Sequence, residues 1–249
     1  MIKRLKTALQ ISAGAVVAAT TAFGGSAEAI TLRSSAGEFS NVDGGQHVVI
    51  GTTNAGEEQV RWGDPAYAAP TVHREKSGLG FKGVGETELA AGQVFKLGRL
   101  RHFNNPIWSG TQANGVDLSV TLDFEELGEQ VFDFALNIDE TPNIAGTCVY
   151  ETDTGNPCAD RIYWDGLISN QSLSISGKDY SLEVVGFKQG QHGDIVEDFI
   201  SQEGGTSSAW IYAQLFEHES PEGPSVPEPT AVVGLLGAGA LTKLRKAKK

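Results

Sequence analysis

The sequence predicts an all-β protein: an antiparallel β-sandwich of jelly-roll type between two terminal segments that are not part of the fold. Three observations carry this. Two neighbouring runs alternate apolar and polar residues with a period of two. Glycines and turn dipeptides punctuate the β-branched runs along most of the chain. Only one short stretch has helical spacing.

The clearest strand is at 116–126, where Val116, Leu118, Val120, Leu122 and Phe124 alternate with Asp117, Ser119, Thr121, Asp123 and Glu125. Successive strand side chains point to opposite faces, so this pattern buries one face and wets the other. Residues 131–138 repeat it with Phe132, Phe134, Leu136 and Ile138. Gly128 lies between them, and the pair reads as an antiparallel hairpin.

Residues 30–45 are rich in Ser and Gly and are expected to form a flexible arm before a sandwich domain at 46–219. Further strands are expected at 46–52, 59–62, 77–82, 93–97, 161–164, 172–175, 179–187 and 209–216. Glycines 78 and 80 weaken the third of these. Asn54 to Gly56, Asn114-Gly115 and Asp165-Gly166 mark turns, and Gly186 marks a bulge. Residues 194–201 are the one helical candidate, with Asp194 as cap and Ile195, Phe199 and Ile200 on one face. About nine or ten short strands with one apolar face must stack that face on a second sheet.

The ends carry a different signal. Lys3, Arg4 and Lys6 precede the uncharged run 7–23, and Ala27-Glu28-Ala29 is an A-x-A cleavage site. Residues 1–29 therefore read as a secretory signal peptide, with the mature chain starting at Ile30. Residues 220–226 form a linker, and 227–249 hold an apolar run (231–241) followed by Lys243, Arg245, Lys246, Lys248 and Lys249. At about 1.5 Å per residue the run spans roughly 17 Å as a helix, short of a bilayer core of about 30 Å. A proline hinge, an apolar run and a basic cluster in this order resemble the bacterial PEP-CTERM sorting signal. The matching residues are Val226, Pro227, Glu228 and Pro229. The resemblance implies removal of the tail by the membrane transpeptidase exosortase, after transient residence in the inner membrane.

The two ends hold eight of the 19 basic and two of the 31 acidic residues, so the part between carries 11 against 29, a net charge of −18. Such a surface repels nucleic acid and anionic lipid. The two cysteines, Cys148 and Cys158, are expected to form one disulfide in an exported chain. No catalytic signature is present, and adjacent acids such as Glu125-Glu126 face opposite ways on a strand. No cofactor or metal site is expected. Calcium is the one ion suited to the Asp/Asn-rich loops 139–143 and 153–160, although these lack EF-hand spacing.

Residues 97–107 set His102, Asn104 and Asn105 in an apolar frame. One reading is a ligand loop whose imidazole and amides bind sugar hydroxyls or an ion. The other is a strand and turn with His102 in the core. Of the four tryptophans, Trp108 lies in a loop beside Pro106 and is expected to be exposed, as a stacking platform for a sugar ring. Trp62, Trp164 and Trp210 are expected in the core. The stretch resembles the THxN family of PEP-CTERM proteins and the related choice-of-anchor K domain. The carriers are Leu97-Gly98, Arg101-His102-Phe103-Asn104 and Asn105-Pro106-Ile107, with Trp62-Gly63, Glu140-Thr141-Pro142-Asn143 and 180–187 outside them. Arg101 stands where that family has its first Thr. The resemblance implies an exported, anchored domain without an assigned activity.

Together these readings favour a non-enzymatic protein of the cell surface or extracellular matrix, associated with exopolysaccharide through glycan binding. The alternatives are a polysaccharide-active enzyme on the same fold and a self-assembling coat protein.

Overall fold

The computed structural model describes residues 30–66, 75–90, 92–144, 146–153 and 155–218 of the 249-residue sequence. These residues contain no helix and build two antiparallel sheets. The strands are β1 (Ile30–Gly44), β2 (Val49–Thr52), β3 (Glu58–Trp62), β4 (Ser77–Gly83), β5 (Thr87–Leu89), β6 (Phe95–Asn104) and β7 (Ala113–Phe124). They continue with β8 (Gly128–Asp139), β9 (Asp160–Trp164), β10 (Ile168–Ile175), β11 (Lys178–Lys188), β12 (Asp198–Ser201) and β13 (Gly205–Glu217). One sheet runs β12-β9-β8-β7-β1-β5, the other β10-β11-β13-β6-β4-β3-β2.

The alternating hairpin is β7–β8, in register from Gly115 opposite Asn137 to Phe124 opposite Gly128. Val116, Leu118, Val120, Leu122 and Phe124 all face the core, as do Phe132, Phe134, Leu136 and Ile138. The second sheet lays Leu79, Phe81, Leu100, Leu182, Val184, Ile211 and Leu215 against them. The bulge at Gly186 is present: the register shifts between Val184 and Gly186, whose φ of 143° suits glycine.

Three expectations are corrected. Asn114 and Gly115 do not turn the chain but lie inside β7, with Gly115 opposite Asp43 and Asn137. Residues 30–44 are not a flexible arm but β1, an inner strand bonded to β5 on one side and β7 on the other. Its apolar content is low, but Leu32 and Phe39 reach the core, and its ladder with β7 supplies the rest. The 194–201 helix is absent. Val196 bridges Phe187 by backbone bonds, and 198–201 form β12 beside β9. Partner strands with open edges satisfied this backbone better than one isolated helical turn could.

Glycine lets the sheets close where β1 crosses β4 and β6. The Phe81 ring lies between Gly37 and Gly98, and a Cβ on either would come within 2.4 Å of it. Beside this contact Ser35 stitches the layers, its hydroxyl donating to the Leu97 carbonyl at 2.6 Å and its N–H to the Val84 carbonyl.

A methyl group added by Gly98→Ala must displace the Phe81 ring. Chemical denaturation is expected to show a loss of about 1–3 kcal/mol, with unchanged β content by circular dichroism. The disulfide Cys148–Cys158 closes a short loop between β8 and β9. Replacing both cysteines with serine is expected to lower stability by about 2.5–3 kcal/mol, the chain-entropy value for so short a loop.

Candidate functional site

β6 carries two polar residues on its inward face, His102 and Asn104, two positions apart and therefore side by side. Both are fully buried, at 0% exposure. Neither His102 ring nitrogen has a hydrogen-bond partner. Asn104 donates from Nδ2 to the Ser201 carbonyl at 3.1 Å, and its Oδ1 has no partner.

The opposing sheet meets them with acids. Glu140 follows the last residue of β8, and Asp160 is the first residue of β9. A ring nitrogen of His102 and carboxylate oxygens of Glu140 and Asp160 lie within 4.8 Å of one another. Thr141 fixes Asp160: its N–H donates to Oδ1 at 2.8 Å and its hydroxyl lies 3.2 Å from the same oxygen. Asp160 Oδ2 and both oxygens of Glu140 are buried without partners. A third acid, Glu203, enters from the turn between β12 and β13, again with both oxygens buried and unpartnered. The nearby Gly204 N–H is taken by the Asn104 carbonyl at 2.8 Å. The disulfide ties the long β8–β9 connection to the residues just before Asp160.

Burial dominates the electrostatics. Loss of water pushes the Glu140 carboxyl far above the carboxylate range, and the charges of Asp160 and Glu203 push it further. Burial also raises Asp160, opposed by its hydrogen bonds from Thr141. Glu203 is raised to about 8 by burial, then by Asp160. His102 is lowered to about 3 by burial, then by the Arg61 charge, so its imidazole is neutral. None of the ion pairs among the described residues involves Glu140, Asp160 or Glu203. Two acids and a neutral imidazole thus converge on one point, and their atoms are those that hold cations.

Above this cluster is a groove of about 540 Å³, lined in part by Pro106, Ile107, Trp108, Glu140, Asn143 and Ile144. Trp108 is 61% exposed there, and Ile144 71%. Glu140 therefore forms the boundary between groove and cluster.

Of the four residues expected in one ligand loop, only Trp108 faces solvent. His102, Asn104 and Asn105 are buried and cannot touch a saccharide directly. Asn105 is structural, its Nδ2 donating to the Lys76 carbonyl and its N–H to the Ser77 hydroxyl, both at 3.1 Å. Trp62 and Trp164 are core residues, and Trp210 is half-buried under Lys96. Ala27, Ala29, Pro227, Glu228 and Pro229 lie outside the described residues. Sequence reasoning did not join Glu140, Asp160 or Glu203 to His102. Glu140 and Asp160 sit at the ends of the two loops considered for calcium, while Glu203 stands in no pattern at all.

No protein-family model matches the chain, and comparison with curated proteins finds no match.

With divalent ions chelated, the raised acids bind more protons in the folded than in the unfolded chain. Their contribution to stability is complete below the ordinary carboxylate range and is lost as pH rises through the folded values. Urea titrations from pH 5 to 9 in chelator are therefore expected to show stability falling with pH. Glu203→Gln, which mimics the protonated acid, is expected to flatten the slope up to about pH 8.

Proposed function

We propose that the chain is an exported, non-enzymatic surface or matrix protein that binds a saccharide chain in the Trp108 groove. The observation that carries this reading is a largely exposed tryptophan beside Pro106 and Ile107, facing Asn143 and Ile144 across a concave surface. An indole face stacks on the apolar face of a sugar ring, and amide and hydroxyl groups around it pair with ring hydroxyls. The A-x-A site at Ala27–Ala29, the Pro227-Glu228-Pro229 hinge and the basic tail support export and exosortase processing. The likeness of the central motifs to the THxN and choice-of-anchor K proteins supports the same setting.

The enzyme alternative rests on the acids. Glycosidase carboxylates must reach both faces of a glycosidic bond. Here both Glu140 oxygens are buried although the residue lines the groove, which favours binding over cleavage.

Calorimetric titration with the producing cell's exopolysaccharide is expected to show saturable binding without new reducing ends. Trp108→Ala is expected to weaken it at least about tenfold, a loss of roughly 1.4 kcal/mol, with an unchanged melting curve. New reducing ends would replace the binding reading with a hydrolase. Equal binding by the folded variant would remove the groove as the site.

A further inference from the structure

We propose that His102, Glu140 and Asp160, with Asn104 and Glu203 beside them, form an internal site for a first-row divalent cation that clamps the two sheets together. The inference stands on the interior cluster and does not depend on saccharide binding in the groove.

Geometry comes first. Bonds of about 2.0–2.2 Å from nitrogen or oxygen to one ion put its donors about 3–4.4 Å apart. The His102, Glu140 and Asp160 donors lie within 4.8 Å of one another, so closing on one ion asks for shifts of a few tenths of an ångström. They also come from both sheets, His102 from β6 and the acids from the two ends of the β8–β9 connection.

The second observation is independent of the acids. His102 has no exposed surface, and both of its ring nitrogens lack partners. A neutral imidazole always offers one lone pair, and a buried polar atom without a partner costs about 1–3 kcal/mol. One ring nitrogen lies within 4.8 Å of Glu140 and Asp160 carboxylate oxygens, and Asp160 Oδ2 and both Glu140 oxygens are themselves unpartnered. Asn104 Oδ1 and the Glu203 oxygens are left in the same condition. A cation at that point bonds one atom from each of His102, Glu140 and Asp160.

The donor set selects the ion. Calcium takes six to eight oxygens and has little use for imidazole. One nitrogen with several carboxylate and amide oxygens suits Mn²⁺ or Zn²⁺. Thr141 holds Asp160 in place through Oδ1 and leaves Oδ2 for the ion, the usual task of a residue supporting a ligand. Glu140, shared by groove and cluster, marks the route of entry.

The test uses the full chain, stripped with chelator and then dialysed against Mn²⁺, Zn²⁺, Ca²⁺ or Mg²⁺. Elemental analysis is expected to find one equivalent of Mn²⁺ or Zn²⁺, with the melting midpoint raised by at least about 5 °C at saturation. Asp160→Asn keeps the Thr141 contact and removes a ligand charge. It is expected to weaken uptake at least about 100-fold, while melting in chelator no lower than the stripped parent. Glu140→Gln makes the same comparison should Asp160→Asn not fold. Failure of the stripped parent to take up any of the four ions would overturn the site. Undiminished uptake by the folded variants would move the ion elsewhere, and uptake of Ca²⁺ or Mg²⁺ alone would overturn the choice of a first-row ion.

Discussion

An ionised carboxylate moved from water into the space between two β-sheets loses several kcal/mol of hydration, more than one apolar contact returns. Glu140, Asp160 and Glu203 all occupy that space, and the only basic group among them is an imidazole too deeply buried to hold a proton. Every other feature of this end of the molecule turns on how that debt is met. The Thr141 bonds fix the Asp160 carboxylate, and the Ser201 carbonyl fixes the Asn104 amide beside it. Apolar packing elsewhere is ordinary by comparison, with leucine and phenylalanine from both sheets meeting at the midplane.

Much of the fold was legible because period-two alternation survives wherever one face is wet. β7 and β8 show it over their whole length, and β11 and β13 show enough of it to be placed. β1 was not legible, since Ser34, Ser35 and Gly37 fall where a strand would normally show bulk. The reason is the close approach of the opposite sheet: Phe81 fills the space that a side chain at Gly37 would need. Helical spacing at Ile195, Phe199 and Ile200 misled because three apolar residues fit either period over so short a run. In the structure Phe199 is buried and Ile195 is a little over one-third exposed, which a strand with a loop before it explains.

The site was legible only in part. His102 and Asn104 stand at the spacing that puts two side chains on one strand face, and the polar pair in an apolar frame marked them as unusual. Asp160 showed only as the end of a loop considered for calcium, and Glu203 not at all, because Asp160 reaches His102 through the packing of one sheet on the other. β13 lies beside β6 with Gly205 opposite Asn104, and this pairing brings the preceding turn over the site. One sequence without its relatives carries no trace of such a meeting.

The order of the strands also has a kinetic side. β6 lies between β4 and β13, so one whole edge of it waits for the last strand of the chain. β1, the first strand, finds its long partner only at β7, with Leu32 opposite Phe124. Pairings this distant along the chain close slowly, on the millisecond-to-second scale typical of sandwiches. Until β13 arrives, the open edge of β6 offers unpaired amide and carbonyl groups to any neighbouring chain. A protein delivered residue by residue from its N-terminus therefore spends its most vulnerable interval with one sheet nearly complete and the other split down the middle.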